Sequence, residues 1–306
     1  LAIAPALNQW IGVPGIFVLT GILAVLAMLV VKQIIPDPQI SRFHSDTEVA
    51  AIRFRDVLHD GELLRLNYGI FALHATLMAL WLVVPLTLRE AGMEANDHWQ
   101  IYLPVLLLSV VCIIPAIIYA EKKAKLKPVF IAAIAILLLG QILLAITADS
   151  ITATAIALWV FFTAFNLLEA SLPSLISKIA PVGAKGTAIG IYSSTQFLGA
   201  FAGASIGGYL FGNFGSQSLY SFCGLLLAVW LVLAITMKTP AAVRSKMYSV
   251  QAMDLGQSKE LSRRLAELPG VYEALVMVNE EVVYLKVDMQ GFDETSVIKL
   301  LEEGVK

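Results

Sequence analysis

The sequence predicts an all-α polytopic membrane protein with a small α+β domain at its C-terminal end. Hydrophobic residues make up 58% of the chain and charged ones 14%, with a mean hydropathy of +0.79. That balance leaves too few charges to cover a soluble surface. Long apolar runs recur as far as residue 238, and from Thr239 onward charged residues and shorter periodicities take over. The net charge of −2 says nothing about partners, and no basic patch points to nucleic acid.

A helix needs about 20 apolar residues to cross the hydrocarbon. Seven segments satisfy this: 15–35, 66–88, 100–120, 128–148, 152–176, 187–211 and 218–237. Residues 1–10 read as the tail of an eighth helix. Leu1 stands inside an apolar stretch with neither an initiator Met nor a charged segment before it, which reads as a truncated start rather than a signal peptide. The links near 121–127, 148–151 and 212–217 are short, so successive helices should be antiparallel neighbours.

Basic residues fix the orientation. Arg42, Arg53, Arg55 and Arg65 fall in the 36–65 loop, Lys122, Lys123, Lys125 and Lys127 in the next loop on that side, then Lys178 and Lys185, then Lys238, Arg244 and Lys246. The opposite side offers Arg89 beside Glu90, Glu94 and Asp97. The 36–65 loop and the C-terminal domain are therefore expected in the cytoplasm of a bacterium, with the helices in its inner membrane. Within that loop Ile52, Val57, Leu63 and Leu64 alternate with charges, as in an amphipathic helix lying on the inner leaflet or a solvated linker.

In the tail, Leu261, Leu265 and Leu268 mark one face of a soluble helix. Val271 to Val278 reads as a strand, Asn279 and Glu280 as a turn, and Val283, Leu285 and Val287 as the inward positions of a second strand. Asp293 caps a second helix holding Val297, Ile298 and Leu301, and a short strand is expected near Tyr248 to Met253. The order strand, helix, strand, strand, helix is most of a ferredoxin-like sandwich, without an obvious fourth strand. The expected organisation is 1–35 as the end of one bundle, 36–65 as loop, 66–238 as a six-helix bundle, 239–248 as linker and 249–306 as the sandwich.

An internal repeat is visible. Gly199, Gly203, Gly207 and Gly208 form G-x-x-x-G-A-x-x-G-G. Ala4, Pro5, Asn8 and Gln9 fall at corresponding places near the start, and Gly12 and Gly21 align with Gly215 and Gly224. Repeats at equivalent depth are a feature of secondary transporters, and glycines four apart let helices approach closely.

The glycine run resembles the antiporter-type motif of the major facilitator superfamily, with Ala204 where proline is usual. The run Ala120-Glu121-Lys122-Lys123-Ala124-Lys125-Leu126-Lys127 falls where that family's cytoplasmic D-R-x-G-R-K motif would, differing in every charged identity and by one residue. Phe165-Asn166-Leu167-Leu168-Glu169-Ala170, Leu172 to Lys178, Lys185-Gly186-Thr187-Ala188 and Gln196-Phe197-Leu198-Gly199 resemble the YajR-type subfamily, as do the helix holding His74 and the appended sandwich. The resemblance implies twelve helices in two bundles, with this chain beginning in helix 5 and helices 1 to 4 absent. It also implies Glu121, Lys122 and Lys123 at a cytoplasmic gate.

Polar groups in hydrocarbon cost several kcal/mol when isolated, so each should face a partner or a cavity. Glu169 is the one acidic residue well inside a span, and with Thr163 and Asn166 it forms a stripe at three-residue spacing. It either carries a proton as access alternates or forms a fixed ion pair with the lysines of the 121–127 loop. His74, with Met78 and Trp81 on its face and Asn67 two turns away, either couples proton flow or is a bonded structural histidine. Gln196, preceded by Ser193, Ser194 and Thr195, either lines the substrate path or joins helices; Trp81 either stacks on a substrate or packs in the bundle.

Cys112 and Cys223 lie in apolar runs and read as small hydrophobes. Met253-Asp254-Leu255-Gly256-Gln257-Ser258 has the methionine of a metal-chaperone loop and neither cysteine, so no metal is expected. No nucleophile–base pair or phosphate loop is present, so no enzyme and no cofactor are expected. The expected function is export of small, amphipathic or drug-like compounds against protons. The rivals are a uniporter or substrate–proton importer of the same fold, or a membrane-anchored sensor signalling through the sandwich. Partners are the bilayer, protons, the small-molecule substrate and the absent helices.

Overall fold

The computed structural model describes residues 4–36, 51–147, 150–181, 184–239, 243–278, 281–288 and 291–303. The expected turn at Asn279 and Glu280 lies outside the described residues, as does Arg42.

The membrane part consists of α1 (Ala4–Ile34), α2 (Ala51–His59), α3 (Gly61–Glu90), α4 (Trp99–Lys122), α5 (Leu126–Ile146), α6 (Ile151–Ile179), α7 (Lys185–Phe214) and α8 (Ser216–Thr236). Among the described residues, six helices are long and apolar enough to span a membrane; α7 is not one of them. The expected span at 187–211 is thus a 30-residue helix diluted by Ser193, Ser194, Thr195, Gln196 and seven glycines. Of these, Gly199, Gly203 and Gly207 pack against α3, and Gln196 meets His74 of the same helix.

Helix α3 is the hub, packed on α6, α7 and α8. It begins earlier than expected, at Gly61, because Asp60 accepts hydrogen bonds from the backbone of Glu62 and Leu63 at 2.8 and 3.0 Å. Leu63 and Leu64 therefore belong to α3 rather than to a helix in the loop. Val57 of α2 is buried in the bundle core, so α2 docks on protein with that face.

Glycine sets two approaches. At Gly69 a methyl group would collide with the Trp230 indole, which itself meets the Phe130 ring edge-on at 5.8 Å. Along the α3–α7 seam, a Cβ at Gly199 would overlap the Phe71 backbone and one at Gly203 the Ala75 backbone, while Gly207 sits against Ala79. Both numberings rise together, so the two helices run parallel with main chains nearly touching. Gly208 stands off this line, beside Leu82.

The repeat has a backbone counterpart. Gly12 breaks α1 with φ 64° and ψ 173°, and Gly215 separates α7 from α8 with φ 78° and ψ 179°. Both are in a region that side chains rarely tolerate, so each pair of helices meets at a one-glycine corner.

At one end of the bundle, side chains satisfy the last carbonyls of α8. Arg65 donates to the Thr236 carbonyl at 2.6 Å and Lys127 to that of Met237 at 2.5 Å. Beyond it, β1 (Val243–Ser249), α9 (Leu255–Ala266), β2 (Val271–Met277), β3 (Val282–Asp288) and α10 (Glu294–Glu303) form an antiparallel sheet in the order β1-β3-β2, with two helices. Leu261, Leu265 and Val297 pack on Val276, Val283, Leu285 and Val287, giving the ferredoxin-like core.

Strand β1 corrects the expected linker at 239–248 and the strand expected at Tyr248–Met253. It alternates Arg, Lys and Tyr with Ser and Met, and so lacks the aliphatic signal that marks a strand in sequence. Asp254 instead opens α9 with a capping box to Gln257. Ile298 is exposed, and Leu300 joins Val297 in the core.

Candidate functional site

Three helices bring His74, Glu169 and Gln196 together. The Gln196 amide nitrogen lies 2.8 Å from His74 Nε2. Glu169 Oε2 is 3.9 Å from the same ring nitrogen, an electrostatic distance but too long for a hydrogen bond. The Phe165 ring lies 6.0 Å from the imidazole on another side.

The α6 stripe is real. Thr163, Asn166 and Glu169 are partly exposed while Ala164, Phe165, Leu167 and Leu168 between them are buried. Its members differ in their bonding, however. Asn166 donates to Ser109 Oγ at 2.8 Å, and Ser109 donates to the Leu106 carbonyl at 2.8 Å, closing the α4–α6 seam. Glu169 Oε2, Thr163 Oγ1 and the Tyr192 hydroxyl are buried atoms without a hydrogen-bond partner in the protein. Each such atom costs about 1–3 kcal/mol if it stays unpaired, so a water, a proton or a ligand bound beside it would relieve that cost.

The alternative pairing of Glu169 with the loop lysines is not formed. Glu121 at the end of α4 instead pairs with Lys178 at the end of α6, at 3.3 Å. Lys122 and Lys123 are exposed beside it. Trp81 packs edge-on against Tyr102 at 5.2 Å and beside Phe162 at 5.9 Å, one side of it remaining open. Asn67 is buried, its Oδ1 also without a partner.

Sequence reasoning passed over Tyr192 and Ser109. Tyr192 precedes Gln196 by one helical turn, and its hydroxyl is within electrostatic reach of Glu169. Ser109 is the lone polar residue in an apolar stretch, the same signal that singled out His74. Ser194 and Thr195 face elsewhere, lining a groove of about 330 Å³ with Phe54 of α2. Among the described residues, no three His, Cys, Asp or Glu side chains cluster as metal ligands would.

The pattern of the Major Facilitator Superfamily matches residues 119–265. The inner membrane transport protein YajR of Escherichia coli (strain K12) is 35% identical over 288 residues, which are 94% of this chain and 63% of that protein. This chain belongs to the major facilitator superfamily. An uncharacterized transporter of Buchnera aphidicola subsp. Acyrthosiphon pisum is 27% identical over 205 residues, covering 65% of this chain and 51% of the relative. Another, from Buchnera aphidicola subsp. Baizongia pistaciae, is 26% identical over 242 residues, with coverages of 76% and 60%. The chain thus spans between half and two thirds of the length of these relatives. It is a multi-pass membrane protein of that superfamily.

Proposed function

We propose that the chain is part of a proton-coupled secondary transporter that exports small, amphipathic compounds by alternating access. In this reading residues 66–238 are the C-terminal bundle and residues 1–35 the end of the N-terminal one. The Arg- and Lys-rich ends and the sandwich face the cytoplasm of a bacterial cell, and the helices lie in its inner membrane. A relative named as an inner membrane transport protein supports that location.

The observation that carries the reading is the incomplete cluster at His74. Gln196 and Glu169 compete for one ring nitrogen. An unprotonated Nε2 accepts from the Gln196 amide; a protonated Nε2 must donate, and Glu169 Oε2 is the acceptor 3.9 Å away. A proton arriving at the cluster therefore gives Glu169 of α6 a donor on α3, in competition with the Gln196 amide, which keeps its bond only by turning its oxygen to the ring. Those helices form the face on which the stripe is open, so protonation is linked to helix arrangement. Trp81, Thr163 and Asn166 continue that face as the substrate wall, and the Glu121–Lys178 pair ties the cytoplasmic ends of α4 and α6 when the path is closed there.

The test is proton flux in proteoliposomes containing the full-length protein. Addition of a transported compound should dissipate an imposed proton gradient, and Glu169→Gln should reduce that coupled flux by roughly tenfold or more, as loss of an essential proton carrier requires. Transport with no proton movement in the wild type would favour the uniporter. Absence of transport together with ligand binding would favour the sensor, and transport of a labelled compound by the sandwich-deleted protein would argue against it.

A further inference from the structure

Helix α5 is pressed against α6 at Gly140, where a methyl group would lie 2.9 Å from the Phe161 backbone. The next residue, Gln141, is turned from that seam toward α8 and is only 1% exposed. A glutamine inside a membrane helix ordinarily bonds across to its neighbour. Gln141 does not: its Nε2 and its Oε1 are both buried without a hydrogen-bond partner. Among the described residues it is the one side chain with both polar ends unpaired.

Gln141 lines a groove of about 220 Å³ between α5 and α8. Gly224 leaves the α8 wall open, since a Cβ there would meet nothing within 4 Å. Other polar groups of the groove are already engaged. The Ser221 hydroxyl donates to the Gln217 carbonyl at 2.8 Å, and the Tyr220 hydroxyl is paired with that of Thr87. Among the described residues no charged side chain lines the groove, and Ile142 and Ile146 stand exposed along its α5 edge. Gln141 lies five residues, about 8 Å, from the end of α5 that is farther from the sandwich. The groove therefore opens to hydrocarbon rather than to water.

We infer that this groove binds an uncharged amphiphile of the bilayer whose head is a carboxamide. Two planar amides meet edge to edge: the ligand N–H donates to Gln141 Oε1 while the ligand carbonyl accepts from Nε2, so one head satisfies both orphaned atoms. With no charge in the lining to pair it, an ionised head would lose its hydration without compensation. The aliphatic body lies along Ile142 and Ile146, which gives the mixture of an apolar wall and one convergent polar group that ligand sites have. The groove shares no residue with the His74 cluster, and neither it nor its test requires the transport mechanism above.

The experiment uses the full-length protein in phosphatidylcholine nanodiscs, irradiated with a decanamide that carries a diazirine in its chain. Labelled peptides are mapped by mass spectrometry, and a diazirine-bearing decane serves as the probe with the same body and no head. The amide should label residues 139–146 and 216–225 at concentrations roughly tenfold below those the hydrocarbon needs, since a net gain of one or two buried hydrogen bonds is worth about that factor. Gln141→Leu, close in volume, should abolish the difference between the probes, and its thermal midpoint should not fall, because an unpaired amide gives way to an apolar group. Gly224→Leu, which fills the groove, should block both probes there. Equal labelling by the two probes in the wild type overturns the inference. So does a preference for the amide that Gln141→Leu keeps in full, or amide labelling confined to helices other than α5 and α8.

Discussion

Within one pair of helices, Gly199 and Gly203 press α7 onto the backbone of α3 with no room for a methyl group. Gln196 and His74, from the same two helices, meet through one hydrogen bond beside a carboxylate oxygen that has none. The first contact is all packing and admits one arrangement. The second is polar, incomplete and offers the ring nitrogen two partners. A membrane bundle has little hydrophobic drive to hold its helices together, so close approach of small residues must do it. With the seam fixed in that way, the neighbouring cluster can remain unfinished, which is what the proposed proton response requires.

The largest effect should come from breaking the seam. Gly203→Leu places a side chain against the Ala75 backbone, where nothing can yield, and should cost about 3 kcal/mol or more. Thermal unfolding of the detergent-solubilised protein would reveal it, with Gly212→Ala, which meets nothing within 4 Å, as the unaffected control. Next is the joint between β3 and α6, where the Lys286 amine donates to the Ala180 carbonyl at 2.7 Å. Lys286→Met keeps the apolar stem but leaves the Ala180 carbonyl without that donor, for a loss of about 1–3 kcal/mol in the docking of the sandwich, measurable as faster hydrogen exchange in β3.

A pair of substitutions on the α6 stripe sharpens the contrast between finished and unfinished polar groups. Asn166→Leu removes the bond to Ser109 and should lower stability by about 1 kcal/mol while proton coupling persists. Glu169→Gln, in contrast, should leave stability within about 0.5 kcal/mol, having no hydrogen bond at Oε2 to lose, yet abolish coupling. The smallest effect is expected at Glu294, which accepts from Lys246 and from the Tyr248 hydroxyl, each at 2.7 Å. The Lys246 bond holds this carboxylate below its ordinary range. Its stabilising contribution is therefore complete above the ordinary carboxylate range and is lost as the pH falls through the folded-state value. Glu294→Gln should flatten that acid limb in a pH series of sandwich unfolding.

The long apolar runs made α3, α4, α5, α6 and α8 legible, because hydrocarbon forces every backbone group into a helix and leaves composition as the signal. The helix α7 was legible through its glycines despite its lower hydropathy. Strand β1 was hidden, since its Lys246 and Tyr248 contribute stems and rings to the sheet where a sequence pattern looks for aliphatic residues. At the site, single polar residues in apolar surroundings pointed to His74, Glu169 and Gln196, but spacing along one helix cannot tell which helix is opposite. That is why the partner of Glu169 was open between a lysine and another group, and why the Glu121–Lys178 pair and the Tyr192 hydroxyl emerged only from the fold.

Infrared difference spectroscopy on the full-length protein, recorded between alkaline and acid pH, tests whether Glu169 exchanges a proton. A carboxylic-acid carbonyl band should appear on acidification, shift when His74 is replaced by alanine, and be missing in Glu169→Gln. The same band at full intensity in Glu169→Gln would place the proton elsewhere and contradict the account.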